Sequence, residues 1–539
     1  MEMSGTIKYG DHGKLSMAFT GPFVLPAGTI LVPMRELPEN VRREIQAEED
    51  DFAISRPDSR AQAQIIDPKT AALVRHFEKP QTIAEAVARY SRDQHEDPEQ
   101  LLEEAFPILQ SLIASQLLVA ADSQEAREAK PAFYGCQAAT TDAGLREVKE
   151  RLLKKVGLSG PLLTGPALSA PSTSVNYGAA GIAYALYRMA CAGEDAELLA
   201  LADAWAGRAV RQIPVESAFY NEEIGITKET MGETSLYHSP AGVYAVQALI
   251  AQASGNAPLQ QLATSAFIEA SSKDSDKLDV TLGRAGTILG SAFLLSAAEA
   301  SLSPEMQTIE RLRSFGRESA AKLWQTMEGF GAIRESKELS NLGIAHGWAG
   351  LLYSILCWSA VSHDPLPAKI GIRLQQLGKC AEPAGRGLRW PRNLTPRANQ
   401  QGGYMPGWCH GTAGYVFLWR LAHKMLGDPS YLALAEGAAW NAWETAGPIG
   451  NLCCGMAGQA YALLNFYRHT RENVWLSRAR DAARYAVVAQ EESSSQPGYE
   501  QFAFRTESLY KGELGIAVLA ADLERPEQSC MPLFEIEGE

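Results

Sequence analysis

Three thiols and an imidazole crowd into two short turns of this 539-residue chain, Trp408-Cys409-His410-Gly411-Thr412-Ala413-Gly414 and Leu452-Cys453-Cys454-Gly455-Met456-Ala457-Gly458. Soft ligands grouped in this way read as a metal site. Zinc takes thiolate and imidazole in a tetrahedral shell, and a catalytic zinc keeps three protein ligands and one open position. Coordination deprotonates a thiol, so an open position beside cysteine thiolates suits thiol activation. If His410 bound as well, the shell would be closed and the site structural. The plainer reading of Cys453-Cys454 is small apolar packing, but Cys409 recurs in the equivalent turn of the preceding repeat, which favours a metal. The other cysteines, Cys136, Cys191, Cys357, Cys380 and Cys530, are scattered, in a chain too large to need disulfide staples.

The cysteine turns belong to a repeat. A Gly-x-x-Gly step followed by an apolar helical run occurs at Gly178, Gly283, Gly347, Gly411, Gly455 and Gly512, and a further copy begins at Ser239 with serine in the first place. Successive copies start 61, 44, 64, 64, 44 and 57 residues apart, room for two helices and their loops each time. Apolar residues after each step return at helical spacing, as in Leu351, Leu352, Ile355 and Leu356. Glycines before such helices allow close backbone approach, so equivalent turns can crowd at one end of a closed ring. The expected fold is mainly α, an α/α toroid of seven helical hairpins. Its mouth would carry the residues just before each step: Tyr177, His238, Leu282, His346, His410, Cys454 and Lys511.

Three segments are expected: a small α+β winged-helix-like domain over residues 1–123, a linker with a first helix over 124–159, and the toroid over 160–525. In the first segment, residues 51–56 and 63–67 read as paired strands, 68–77, 82–92 and 98–115 as helices, and 117–120 as a closing strand. The polar run SQEAREAKP at 123–131 reads as a linker. A winged helix invites a DNA-binding reading, but residues 1–123 hold 12 Lys and Arg against 20 Asp and Glu, and the whole chain carries a net charge of -14. Both have the wrong sign for phosphate or an anionic membrane surface. The absence of a long apolar run and of a signal-peptide pattern leads us to expect a cytoplasmic protein without a membrane span.

With these strands and helices in order, and with the turn Ile66-Asp67-Pro68-Lys69-Thr70-Ala71-Ala72-Leu73, residues 51–122 resemble the RiPP recognition element, a PqqD-like domain. The resemblance implies binding of a precursor peptide's leader as an added strand at a sheet edge. An accessory domain that only packs against the toroid is the plainer reading.

Trp408-Cys409-His410-Gly411, Cys453-Cys454-Gly455, Ala345-His346-Gly347 and the sevenfold step resemble the LanC-like lanthionine cyclase family over about residues 160–520. The resemblance implies a toroid with Zn2+ at its mouth, held by Cys409, Cys453 and Cys454. Cys454 stands where the family commonly has His. His346 matches the family's active-site histidine and is the expected general acid or base. Asp279 matches a carboxylate expected to orient a neighbouring histidine or the substrate, and His410 is expected to assist proton transfer. The family's arginine four residues before the first zinc cysteine is replaced by Met405, with Arg284, Arg392 and Arg397 as possible substitutes. The implied activity joins peptide cysteine thiols to dehydroalanine or dehydrobutyrine, giving lanthionine or methyllanthionine rings. No kinase-like loop or room for a dehydratase is evident, so a separate dehydratase or kinase/lyase protein is the expected partner beside the precursor peptide. Two alternatives stand: a LanC-like enzyme adding glutathione to dehydrated residues, and a non-catalytic scaffold holding peptide for a dehydratase.

Overall fold

Backbone packing explains why glycine recurs at the repeat steps. A Cβ on Gly458 would fall on the Leu452 carbonyl oxygen, and one on Gly411 would meet the Met405 carbonyl. Each loop folds back over the first turn of the helix it starts, and only glycine leaves space for it. The computed structural model describes residues 21–37, 42, 47–56, 63–123, 126, 142–164, 168–301, 305–394, 403–494 and 506–536. It divides into two units, residues 1–136 and 137–539. Most of the stretch at 123–131, together with Cys136 and Arg397, lies outside the described residues.

In the first unit, β1 (Phe23–Val24) pairs with β5 (Val119–Ala120), and β2 (Ile30–Pro33), β3 (Phe52–Ser55) and β4 (Gln64–Ile66) form an antiparallel sheet in that order. Three helices come after β4: α1 (Pro68–Val74), α2 (Ile83–Gln94) and α3 (Pro98–Ala114). Their starts are written locally. Asp67 caps α1 through Thr70 N–H, Thr82 and Glu85 form a reciprocal capping box on α2, and Asp97 caps α3. Ile54, Ile66, Leu73, Phe77, Leu109 and Leu118 close the core beneath them.

Among its described residues, the regular structure of the second unit is helical but for the hairpin β6 (Glu382–Ala384) and β7 (Gly387–Arg389). It begins with α4 (Asp142–Val156). The next pairs are α5 (Ala179–Gly193) and α6 (Ala196–Gln212), α7 (Pro240–Ala253) and α8 (Ala257–Ser271), α9 (Arg284–Glu299) and α10 (Met306–Glu328), and α11 (Trp348–Ser362) and α12 (Ile370–Gly378). The last are α13 (Thr412–Leu426) and α14 (Pro429–Glu444), α15 (Met456–Thr470) and α16 (Asn473–Ser494), and finally α17 (Leu514–Asp522).

The helices after each step, α5, α7, α9, α11, α13, α15 and α17, each pack on the next, and α17 packs back on α5. They are buried nearly all round, as α11 shows from Trp348 to Ser359. Their partners are amphipathic: α10 buries Ile309, Leu312, Gly316, Ala320, Leu323 and Met327, one face of a helix. The partner of α17 is α4, so the first helix of the unit completes the last pair. Pro526 and residues 529–536, beyond the 160–525 expected for the repeats, are buried as well. Tyr237 donates to the Leu533 carbonyl at 2.8 Å and Tyr353 stacks on Phe534 at 4.5 Å. Among the described residues, no helix is long and apolar enough to cross a membrane.

Candidate metal centre

A chain of backbone hydrogen bonds ties the repeat turns together at the residue two before each first glycine. Ala345 N–H donates to the Cys409 carbonyl, Cys409 N–H to Cys453, and Cys453 N–H to Tyr510, each at 2.9 Å; Thr281 N–H reaches Ala345 at 3.3 Å. Cysteines distant in sequence thus become neighbours because they hold equivalent places in adjacent turns. A second device fixes the next residue. Ser174, Ser235, Asp279, Asn451 and Ser508 stand four before their first residue of the step, and each side chain accepts the N–H of Tyr177, His238, Leu282, Cys454 and Lys511 respectively.

Cys409, Cys453 and Cys454 bring their sulfurs within 4.8 Å of one another, with Cys409 and Cys454 Sγ 3.5 Å apart. A tetrahedral zinc with bonds of about 2.3 Å sets its sulfurs about 3.8 Å apart, so the donor set and its spacing fit that ion. His410 is not among the gathered ligands; its ring stacks on His346 at 5.1 Å. Hydrogen bonds with Cys453 and Cys454, then burial, push the Cys409 thiol well up. Cys453 receives a lowering hydrogen bond from Cys409, yet its contact with Cys454 and its burial push it up to about 12. Hydrogen bonds from Cys409 and Cys453 hold Cys454 well below the usual thiol range, and Lys511, with Nζ 3.3 Å from Cys454 Sγ, acts in the same direction. A metal would take these sulfurs as thiolates, so its uptake here would release thiol protons.

Beside the thiols, His346 Nδ1 lies 3.2 Å from Asp279 Oδ2 and 2.9 Å from Thr281 Oγ1. Asp279 Oδ1 meanwhile accepts Leu282 N–H at 2.7 Å and the Thr281 hydroxyl at 3.2 Å. One carboxylate thus braces its own turn and faces the histidine of the next. Burial, with His346 and Arg392 adding to it, lowers His410 to about 3, so its imidazole is neutral at ordinary pH. Arg392 is thereby the arginine whose charge reaches His410, while Arg284 lines a separate polar hollow with Lys228, Glu233 and Asp276. In other repeat turns, Asn176 Nδ2 lies 3.3 Å from His238 Nε2, and Tyr177 packs against the His238 ring.

Thr281, Asn451 and the contact of Lys511 with Cys454 were missed as site features by sequence reasoning. The available signal was positional: Thr281 comes two residues after Asp279, and Asn451 stands where Ser174, Ser235 and Ser508 stand in other turns.

Comparison with known proteins bears on most of the helical unit. A solved structure of nisin cyclase superposes with a TM-score of 0.47 at 14% identity, over 71% of this chain and 93% of the cyclase. Glutathione S-transferase LANCL1 of Danio rerio is 26% identical over 203 residues, 36% of this chain; the chain thus spans about half, 46%, of that relative's length. The model of the lanthionine synthetase C-like proteins matches residues 170–536. That match takes in every repeat step, both cysteine turns and the buried C-terminal segment, and the chain belongs to the lanthionine synthetase C-like family.

Proposed function

We propose that this protein is a zinc-dependent cyclase of lanthipeptide biosynthesis, built as an α/α toroid with an N-terminal leader-binding domain. The observation that carries the reading is the gathering of three thiols within 4.8 Å, one residue from a histidine that stacks on the His346–Asp279 pair. Cys409, Cys453 and Cys454 would hold Zn2+. Bound there, the ion supplies a Lewis-acidic position that favours the thiolate form of an incoming thiol.

The chain's own residues account for the proton. Adding a thiol across dehydroalanine forms one C–S bond at the β-carbon, consumes the C=C π bond and moves the thiol proton to the α-carbon. His346 is the group we assign to carry that proton, as general acid or base. Asp279 and Thr281 orient its ring through Nδ1, and His410 limits its tilt by stacking.

The winged-helix-like first unit suits a recognition element. β4 ends its sheet, Ile65 on it is 38% exposed, and a hollow of about 190 Å3 between α1 and α3 is lined by Thr70, Leu73, Leu101 and Ile108. A leader segment would add as a strand at an edge of this sheet and place apolar side chains against the helices. The dehydrated residues would come from a separate dehydratase or kinase/lyase protein. A reducing cytoplasm suits the cluster of three thiols.

Similarity to a glutathione S-transferase of the same family favours a second reading, addition of glutathione to dehydrated residues. The test is thiol addition on a peptide holding both a cysteine and dehydroalanine, with metal content measured beside it. A cyclase loses ring formation together with zinc in Cys409→Ala and Cys454→Ala. Full ring formation without zinc refutes the reading. Glutathione adduct formation unchanged on removing residues 1–123 turns the assignment to the second.

A further inference from the structure

Cys454 has a charged neighbour that the chemistry above does not use. Lys511 holds the same place in the last repeat turn that Cys454 holds in the turn before it, one residue ahead of the first glycine. Its Nζ is 3.3 Å from Cys454 Sγ. The two turns are locked in register around that contact. Asn451 accepts Cys454 N–H on Oδ1 at 3.0 Å and donates from Nδ2 to the Lys511 carbonyl at 3.4 Å, while Ser508 accepts Lys511 N–H at 3.0 Å. One asparagine therefore fixes both ends of the Lys511–Cys454 contact.

Charge gives this contact its meaning. A divalent ion with two thiolates and one imidazole is neutral, whereas three thiolates leave a net negative charge. Cys409 is buried and its two partners half-buried, and a buried charge without a counter-charge is costly. An ammonium at hydrogen-bond distance from one sulfur returns the sum to zero, and partners that hydrogen-bond to metal ligands tune how tightly those ligands hold the ion.

We propose that Lys511 is the built-in counter-charge of an all-thiolate zinc site, its ammonium donating a hydrogen bond to the Cys454 thiolate and thereby raising zinc affinity. Lys511 is a positioning residue, since it acts through the sulfur of Cys454. The proposal rests on the zinc reading above and predicts something that reading does not: dependence of metal affinity on Lys511, conditional on a thiolate at position 454.

The experiment is competitive zinc titration of the full-length protein against a chromophoric chelator, with no catalytic readout. Lys511→Met should weaken zinc binding about 10- to 100-fold, the range found for groups that hydrogen-bond to metal ligands. Lys511→Arg should recover most of that loss, because it restores a cation. In a Cys454→His background, where the three-ligand set is already neutral, Lys511→Met should change affinity by less than about threefold. Equal losses in both backgrounds would show Lys511 to be a space-filling part of the turn and overturn the proposal, as would undiminished affinity in Lys511→Met. Wild-type protein that takes up no zinc would sink the zinc reading and this proposal together, whereas normal wild-type binding with an indifferent Lys511 removes this proposal alone. Far-UV circular dichroism accompanies each variant, and Lys511→Gln provides the same comparison should the Met variant fold poorly.

Discussion

Asp279→Asn separates two jobs that one carboxylate performs. Oδ1 accepts Leu282 N–H at 2.7 Å, the same brace that Asn451 gives Cys454, so asparagine at 279 can keep it. Oδ2 faces His346 Nδ1 at 3.2 Å, and there an amide removes the negative charge and can present a donor instead of an acceptor. The pair is partly solvated, with the side chains 31% and 17% exposed, so its loss should cost stability no more than about 1 kcal/mol. Catalysis should suffer more. A hydrogen bond to a charged group is worth roughly 1.5–3 kcal/mol, and at about 1.4 kcal/mol per tenfold in rate this is a loss of about 10- to 150-fold. Asp279→Ala removes both jobs and should add about 1–2 kcal/mol of destabilisation from the unpaired Leu282 N–H. The assay is single-turnover loss of free thiol from a dehydroalanine-containing cysteine peptide, with zinc content and urea unfolding measured on the same samples. Asp279→Asn turning over at the wild-type rate would show that Asp279 is only a brace. A slow variant that has also lost zinc would refute the assignment to proton transfer.

Other perturbations test the surroundings. Gly407→Ala puts a Cβ on the backbone of Cys454; overpacking of about 1–3 kcal/mol should force the turns apart, and elemental mass spectrometry should find less than the wild-type zinc per chain. Glu535 is 2% exposed and accepts from Arg468, from Asn465 and, at 3.2 Å, from Met531 N–H, with Arg420 3.6 Å away. Glu535→Ala leaves two buried guanidiniums without this partner and should cost about 3–5 kcal/mol in urea unfolding. Burial, reinforced by His346 and Lys511, lowers His238 to about 3 from an ordinary 6.5. A base with a depressed folded pKa stabilises above the unfolded value and loses that contribution as pH falls from 6.5 towards 3. His238 should therefore account for about 1 kcal/mol of the stability lost between pH 7 and 5.5, and His238→Gln should flatten the curve by that amount.

The helices and the cysteine cluster were legible in sequence for one physical reason. A step that needs glycine for backbone clearance leaves a mark wherever it recurs, so equivalence between turns can be read before any contact is known. The C-terminal segment beyond the last repeat carries no such mark. Residues 526–536 lack a period, and Glu535 looks like part of a solvated tail until Arg420, Arg468 and Asn465, from two helices far back in the chain, are seen around it. The pairing of α4 with α17 was hidden for a related reason, since an amphipathic helix shows that it has a buried face but not which helix covers it. At the site, the three thiols were visible as residue types. The contacts of Thr281, Asn451 and Lys511 depend on side-chain direction across neighbouring turns, which spacing does not encode.

The same turn geometry explains why the chemistry gathers on one arc of the mouth. In five of the seven turns the residue four before the step carries a side chain that caps its own turn. The two exceptions are Gly343 and Gly407. A Cβ on Gly343 would meet the backbone of Cys409 and His410, and a Cβ on Gly407 the backbone of Cys454. Where other turns hold a capping side chain, these two admit the mouth-facing residue of the following turn. Each exchange forgoes a capping hydrogen bond worth about 1 kcal/mol and leaves room for the backbone of the following turn. It occurs twice in succession, at the turns that lead to His346 and to Cys409 with His410. The stacked His346–His410 rings and the three gathered sulfurs lie at these turns and the next. Gly343→Ala should therefore disturb the imidazole stack and the Cys409 thiol together, whereas Gly407→Ala should displace the Cys454 thiol and leave the stack in place.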